Sequence, residues 1–150
     1  AQERLVAGFV GTLSRLGIAA RIRVVDSAQY QQRLNVYDFD MIQANWPSSL
    51  SPGNEQVFRW NSRMASQDGT YNWAGVSNPA ADAMIEAMLA ARDKESFVSA
   101  TRALDRVLLS GDYVIPLFYL PRQWVAYWSG LAYPERTALY GNQYPVWWHR

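Results

Sequence analysis

The sequence predicts an α/β domain built around a βαβ unit with flanking helices. Ile18–Val25 alternates apolar and polar residues with the period of two that is typical of a strand, and Asp38–Ala44 is a second strand-like apolar segment. Between them, Asp26 or Ser27 is placed to cap a short helix that ends near Leu34. A strand, a short helix and another strand in this order predict a right-handed unit with a parallel pair.

Four more helices are predicted from apolar residues at helical spacing and from residues that favour helix ends. One contains Leu5–Leu16 and ends at Gly17 in a left-handed cap, one runs from Ser51 and Pro52 to Trp60, one opens at Asn78 and Pro79, and one runs from an Asp93 cap to Gly111. A third strand is predicted over Tyr113–Leu120. Pro116 has no backbone N–H to donate to a neighbouring strand. The predicted strand is therefore an edge strand, contains a bulge, or is a segment that crosses between two lobes.

Composition narrows the classes of function. The net charge is +1 and the charges are scattered, so no basic surface favours nucleic acid or an anionic membrane. The absence of Cys excludes disulfides, thiolate nucleophiles and iron–sulfur centres. No apolar run approaches the roughly 20 residues that span a bilayer. None of this fixes the cellular compartment.

Residues suited to catalysis are few. The single His, His149, lies beside the C-terminus, where a positioned base is hard to hold, and we interpret it as a solvated tail residue. Asp38 and Asp40 share a face of the predicted strand, but we interpret them as strand-end or capping residues. Neither a dinucleotide fingerprint nor a Walker A loop is present. We therefore expect a protein that is not an enzyme, with no catalytic residue, no metal site and no cofactor.

Two loops combine indole rings with small neutral polar residues. One follows the second predicted strand and the other lies in the polar, Gly-punctuated segment before Asn78. Indole faces supply stiff contact area, and Asn and Ser supply uncharged hydrogen bonds, which suits a neutral polar ligand such as a peptide main chain or a sugar. The alternative is that the Asn residues and Gly75 only shape turns while the Trp residues fill the core. The residues predicted to bind ligand are Asn45, Trp46, Ser48, Ser49, Asn72 and Trp73.

Several motifs, in one order over about a hundred residues, resemble a known family. They are GIAARIRVVD, AQYQQRL, YDFDMI, SPGNEQVF, YNWAGVSNPAADAMIEAM and ATRALDRVLLSGDYVIPLFY. This order resembles the C-terminal part of the family 5 extracellular solute-binding proteins of ABC transporters. SPGNEQ, YNWAG, ALDRVL and the closing Trp147-Trp148 resemble the branch of oligopeptide and microcin C receptors.

The resemblance implies a two-lobed fold of the type II periplasmic-binding-protein kind. Residues 1–120 would form the C-terminal lobe, and residues 121–150 a tail that packs its aromatics on the N-terminal lobe, which this chain lacks. It also implies a periplasmic location, with a signal peptide upstream of this segment. The ligand would be a peptide or peptide-like solute, and the partners would be the permease subunits in the membrane.

The resemblance gives the first loop a specific expectation. Trp46 matches a Trp that lines the pocket of the oligopeptide receptors. Ser49 stands where those receptors have an Asp that anchors the ligand's α-amino group. A Ser there loses a charge-assisted hydrogen bond. We therefore expect anchoring of a free amine at this point to be absent or moved, which favours N-blocked, formylated or otherwise modified peptides.

A second function remains open from the residues alone. The same Trp and Asn residues could form an exposed platform in a self-contained carbohydrate-binding or interaction module. That module would bind saccharide without a second lobe. An enzyme is the third possibility, and it would have to rely on one terminal His and scattered carboxylates.

Overall fold

The computed structural model describes residues 2–45, 51–119, 124–139 and 141–150. The chain divides into two compact units, Ala1–Val114 and Ile115–Arg150. In the described part of the first unit, five α-helices carry the regular structure: α1 (Gln2–Arg15), α2 (Ser27–Asn35), α3 (Glu55–Trp60), α4 (Pro79–Ala90) and α5 (Lys94–Ser110). A short 3₁₀ turn, Ser62–Met64, follows α3.

Helix ends follow the capping residues that the sequence predicted. The Asp26 carboxylate accepts a hydrogen bond from the Gln29 amide at 2.8 Å, so Asp26 is the cap of α2. Asn78 and Asp93 cap α4 and α5 in the same way. Gly17 adopts φ +79° after α1, which confirms the predicted left-handed cap.

The core of the first unit lies where α4 and α5 pack against each other as a helical hairpin. Its fully buried side chains are Val76, Ala81, Ile85 and Leu104, and side chains of α3 and Tyr113 pack against them. Helical spacing places Ala81, Ile85 and Met88 on one face of α4, and all three are buried. The loop before α4 therefore enters the core through Val76.

The predicted strands are wrong for this structure. Residues 18–25, 38–44 and 113–119 are irregular, so the βαβ unit expected from them is not formed by the described residues. A strand needs a hydrogen-bonded neighbour, and these segments form no ladder among the described residues. Ile18, Ile22 and Val24, which the alternating pattern puts on one face of the predicted strand, are exposed. The two-lobed fold itself stays a prediction, because nothing in a helix-rich segment of this size tests it.

The helix predicted from Ser51 and Pro52 begins later than expected. α3 starts at Glu55, after Asn54, whose side chain makes no capping bond. The Glu55 carboxylate accepts a hydrogen bond from the Gly53 amide at 2.9 Å, so it stabilises the turn that precedes the helix. The end at Trp60 is as predicted.

The second unit contains a short antiparallel pair, β1 (Leu131–Ala132) with β2 (Trp148–His149), in which Leu131 pairs with His149. Four aromatic rings cluster beside it with centroids 5.2–5.5 Å apart: Tyr127, Tyr133, Tyr144 and Trp147. Trp124 and Trp128 are 98% and 85% exposed. The proposed division into a lobe over 1–120 and a tail over 121–150 stays a prediction.

Candidate functional site

The loop that carries Asn72 and Trp73 is organised by one buried side chain. Asn72 is 0% exposed. Its amide nitrogen donates to the carbonyl oxygens of Asn61 at 3.1 Å and Val76 at 2.9 Å, and its amide oxygen accepts from the Val76 N–H at 2.8 Å. These bonds pair polar groups that burial would otherwise leave unsatisfied. Asn72 therefore fixes the course of the chain from residue 72 to residue 76.

Gly75 completes this turn. Its N–H donates to the Asn72 carbonyl at 2.9 Å and its φ is +64°, a conformation that side chains with a Cβ rarely adopt. Asn72 and Gly75 thus have the turn-forming role that was the alternative to ligand contact. In this structure the Asn72 amide reaches no solvent, so it contributes to a site by holding its neighbours in place.

The neighbours of Asn72 present an aromatic pair. Tyr71 is 57% exposed and Trp73 is half-buried. Their ring centroids lie 5.6 Å apart at an interplanar angle of 65°, an edge-to-face contact that is favourable for aromatic rings. We call the segment from Thr70 to Val76 the aromatic loop. It offers ring faces and backbone groups, without a charged side chain, to a ligand.

The other predicted loop is only partly described. Asn45 is exposed, as a ligand contact requires, whereas Trp46, Ser48 and Ser49 lie outside the described residues. Two residues before Asn45, the Gln43 carbonyl accepts a hydrogen bond from the Tyr30 hydroxyl at 2.8 Å. Burial raises the pKa of Tyr30, which keeps this donor protonated at all physiological pH values. Helix α2 thereby holds the segment that leads to Asn45.

Asp38 and His149, which were considered for catalysis, are exposed. Asp38 pairs with Arg33 at 2.5 Å on the surface. His149 is exposed in β2, with its Nδ1 2.8 Å from the Arg150 carbonyl oxygen. Within the described ranges, no three His, Asp or Glu side chains are grouped as metal ligands. Among the same residues, no helix combines the length and the apolar character that crossing a bilayer requires.

Comparison with known proteins finds relatives that are longer than this chain. A peptidoglycan-binding protein of Agrobacterium fabrum, YepA, is 50% identical over 148 residues. The "Probable peptide-binding protein YejA" of the same organism is 44% identical over 147 residues, and YejA of Escherichia coli is 33% identical over 145 residues. A Brucella melitensis protein whose name gives only a general binding role is 57% identical over 148 residues.

These alignments cover nearly all of this chain but little of each relative. They span 96–99% of the chain and 24% of each of the four relatives. No family model matches. The chain is therefore homologous to about a quarter of larger proteins, which is consistent with the predicted position inside a longer solute-binding protein.

Sequence reasoning missed two residues that shape the aromatic loop. Asn61, 5% exposed, supplies a carbonyl to Asn72 and accepts from the Arg63 amide at 3.1 Å through its own side chain. Tyr37, in the turn after α2, hydrogen-bonds to the Thr70 hydroxyl at the start of the loop. The pattern N-x-x-G within YNWAG does favour a turn, since Asn is common at the first position and Gly at the fourth position of a type I turn. Nothing in the sequence shows that the Asn72 side chain is buried, because its hydrogen-bond partners are Asn61 at the end of α3 and the core residue Val76.

Proposed function

We propose that this chain is part of the substrate-binding protein of an ABC transporter, which captures peptides or peptide-like solutes in the periplasm and delivers them to a membrane permease. The observation that carries the proposal is homology over nearly the whole chain to proteins named for binding peptide and peptidoglycan. The uncharged aromatic loop supports it, because recognition of a peptide backbone needs hydrogen bonds and ring surface more than charge.

One relative is named for binding peptide and another for binding peptidoglycan, and the peptide portion of peptidoglycan is a ligand that fits both names. In this proposal the Trp73 ring packs on the ligand, Asn45 hydrogen-bonds to it, and Asn72 holds the aromatic loop. Trp46, Ser48 and Ser49 remain proposed contacts from the first loop. The rest of the longer protein would form the opposite wall of the cleft in a type II two-lobed fold, and closure on the ligand would be a hinge motion.

Calorimetric titration of the full-length protein tests this proposal. Four probes suffice: tetra-alanine, N-formyl-tetra-alanine, the peptidoglycan stem tetrapeptide and chitotetraose. We expect micromolar or tighter binding of at least one peptide and no loss of affinity on N-formylation, since Ser49 provides no carboxylate for a free amine. Failure of all three peptides to bind at millimolar concentration would refute the transport proposal.

A carbohydrate-binding module is the second candidate, and one observation favours it. The exposed Tyr71 ring beside Trp73 is a surface on which a sugar ring can stack, and peptidoglycan also contains glycan strands. This candidate predicts binding of chitotetraose without binding of the stem tetrapeptide. The same titration therefore separates the two functions.

A further inference from the structure

The turn that ends helix α2 contains a strained residue. Tyr37 has φ +56°, the left-handed region that bulky side chains rarely occupy. It follows the C-cap Val36, and the Asp38 amide donates back to the Arg33 carbonyl at 3.0 Å. Such strain persists only where the surroundings hold the residue in place. The contacts of the Tyr37 side chain show what holds it.

The Tyr37 hydroxyl reaches the first residue of the aromatic loop. It hydrogen-bonds to the Thr70 hydroxyl, and the carbonyl oxygens of Met64 and Gln67 lie 3.4 Å and 3.3 Å away. The Thr70 hydroxyl donates its own proton to the Met64 carbonyl at 2.7 Å. Because a hydroxyl has one proton, Thr70 must accept from Tyr37. The result is a directed chain from Tyr37 through Thr70 to the backbone of Met64.

A backbone bond ties the same two regions together. The Gly69 amide donates to the carbonyl of Asn35, the last residue of α2, at 2.7 Å. Two adjacent residues where the aromatic loop begins are thus attached to this part of the chain: Gly69 to the last residue of α2, and Thr70 to Tyr37 in the turn after it. Three residues after Thr70 stands Trp73, and between them Asn72 is fixed by its own buried bonds.

We propose that Tyr37 is a positioning residue for ligand binding: its hydroxyl, through Thr70, sets where the Tyr71 and Trp73 rings stand. This inference rests on the proposed function for its ligand, a peptide-like solute. Loss of the hydroxyl would leave α2 folded, because the Gly69 bond and the Asp26 cap remain. It would release Thr70 and move the Tyr71 ring, and through the edge-to-face contact it would change the surroundings of the Trp73 ring, while Asn72 keeps the backbone path from residue 72 to residue 76.

The test compares three single variants, and the double variant of Tyr37→Phe with Thr70→Val, in the full-length protein labelled with 5-fluorotryptophan. Tyr37→Phe removes the donor, Thr70→Val removes the acceptor, and Tyr119→Phe is the matched control. Tyr119 is 82% exposed, and its hydroxyl has no partner in the part of the chain that the structure describes. The fluorine resonance of Trp73, assigned with Trp73→Phe, reports ring position, and calorimetry with tetra-alanine and the stem tetrapeptide reports affinity.

We expect Tyr37→Phe to shift the Trp73 resonance and to weaken peptide binding about two- to tenfold, the range that one lost hydrogen bond produces. In the Thr70→Val background the Tyr37→Phe change should add little, since the pair is already broken. Tyr119→Phe should change neither reading. A lower melting temperature alone, with resonance and affinity unchanged, would show a purely structural role and overturn the inference.

The two readouts keep this inference separate from the proposed function. If the wild-type protein binds neither these two peptides nor N-formyl-tetra-alanine, the proposed function fails. The Trp73 resonance still decides whether Tyr37 sets the ring position. If the wild type binds and Tyr37→Phe leaves the resonance unmoved, only the positioning role is refuted.

Discussion

Replacing Asn72 by Ala should destabilise the region around α4 more than any surface change. The substitution removes three hydrogen bonds of 2.8–3.1 Å and leaves the amide of Val76 unpaired at a site that is 0% exposed. Each lost bond costs about 0.5–1.5 kcal/mol and an orphaned buried donor about 1–3 kcal/mol. A total of roughly 2.5–7.5 kcal/mol is a large part of the 5–15 kcal/mol by which domains are stable.

Hydrogen–deuterium exchange of the full-length protein measures this effect locally. Since about 1.4 kcal/mol corresponds to a factor of ten, protection of the Val76 amide and of α4 should fall by about 100-fold or more. Asn54→Ala is the matched control, because Asn54 is exposed and its side chain makes no capping bond. Equal protection in the two variants, or a fall of less than threefold for Asn72→Ala, would refute the assignment of Asn72 as the residue that holds the loop.

Three further predictions follow from other parts of the chain. Gly111→Ala should lower the free energy of unfolding, measured with denaturant, by about 1–3 kcal/mol, because the added Cβ would lie 2.1 Å from Cε2 of Tyr113, which packs on the core. Gly11→Ala should raise it by about 0.5–1 kcal/mol, because Gly11 has open space around it inside α1. A protein stabilised by Gly111→Ala and destabilised by Gly11→Ala would contradict the packing described. Hydrogen bonds from the amide and hydroxyl of Ser96 lower the pKa of Asp93, so its capping contribution is complete above the unfolded pKa of about 3.9 and is lost as the pH falls through the lower, folded value. Asp93→Asn keeps a side-chain oxygen that can accept the capping bond but removes the titrating group, so the melting temperature should depend less on pH in this acid range. An unchanged dependence of the melting temperature on pH there would show that another group is responsible. The isolated 150-residue chain should bind the stem tetrapeptide at least 100-fold more weakly than the full-length protein in calorimetry, and low-micromolar binding by the isolated chain would refute the need for a second wall.

The helices could be predicted because their signals are local. Asp26, Asn78 and Asp93 each accept a hydrogen bond from an amide two or three residues ahead, and Gly17 takes a backbone angle that its own lack of a Cβ permits. A short stretch of sequence contains all the atoms involved. The failure at Ser51 and Pro52 has the same origin, since Gly53 and Glu55 form a competing local turn there.

The strands could not be predicted from local signals, because a strand forms only beside a hydrogen-bonded neighbouring strand. The alternating pattern does not show which segment that neighbour is. Ile18–Val25 has the pattern of a strand but no ladder among the described residues. The site was predictable in part. The position of the aromatic loop follows from its composition, but the burial of Asn72 depends on α3 and α4, and the role of Tyr37 depends on a positive φ that no residue type near it demands.

The dependence of the aromatic loop on a single internal amide has an evolutionary consequence. In most loops the backbone path changes when surface side chains change, so recognition and shape vary together. Here the path from residue 72 to residue 76 is set by Asn72 from the inside, and Tyr71 lies outside those bonds. If the aromatic loop binds ligand as proposed, substitutions at position 71 can therefore change its ligand while its backbone is retained, so that descendants of this sequence acquire new ligands by single mutations.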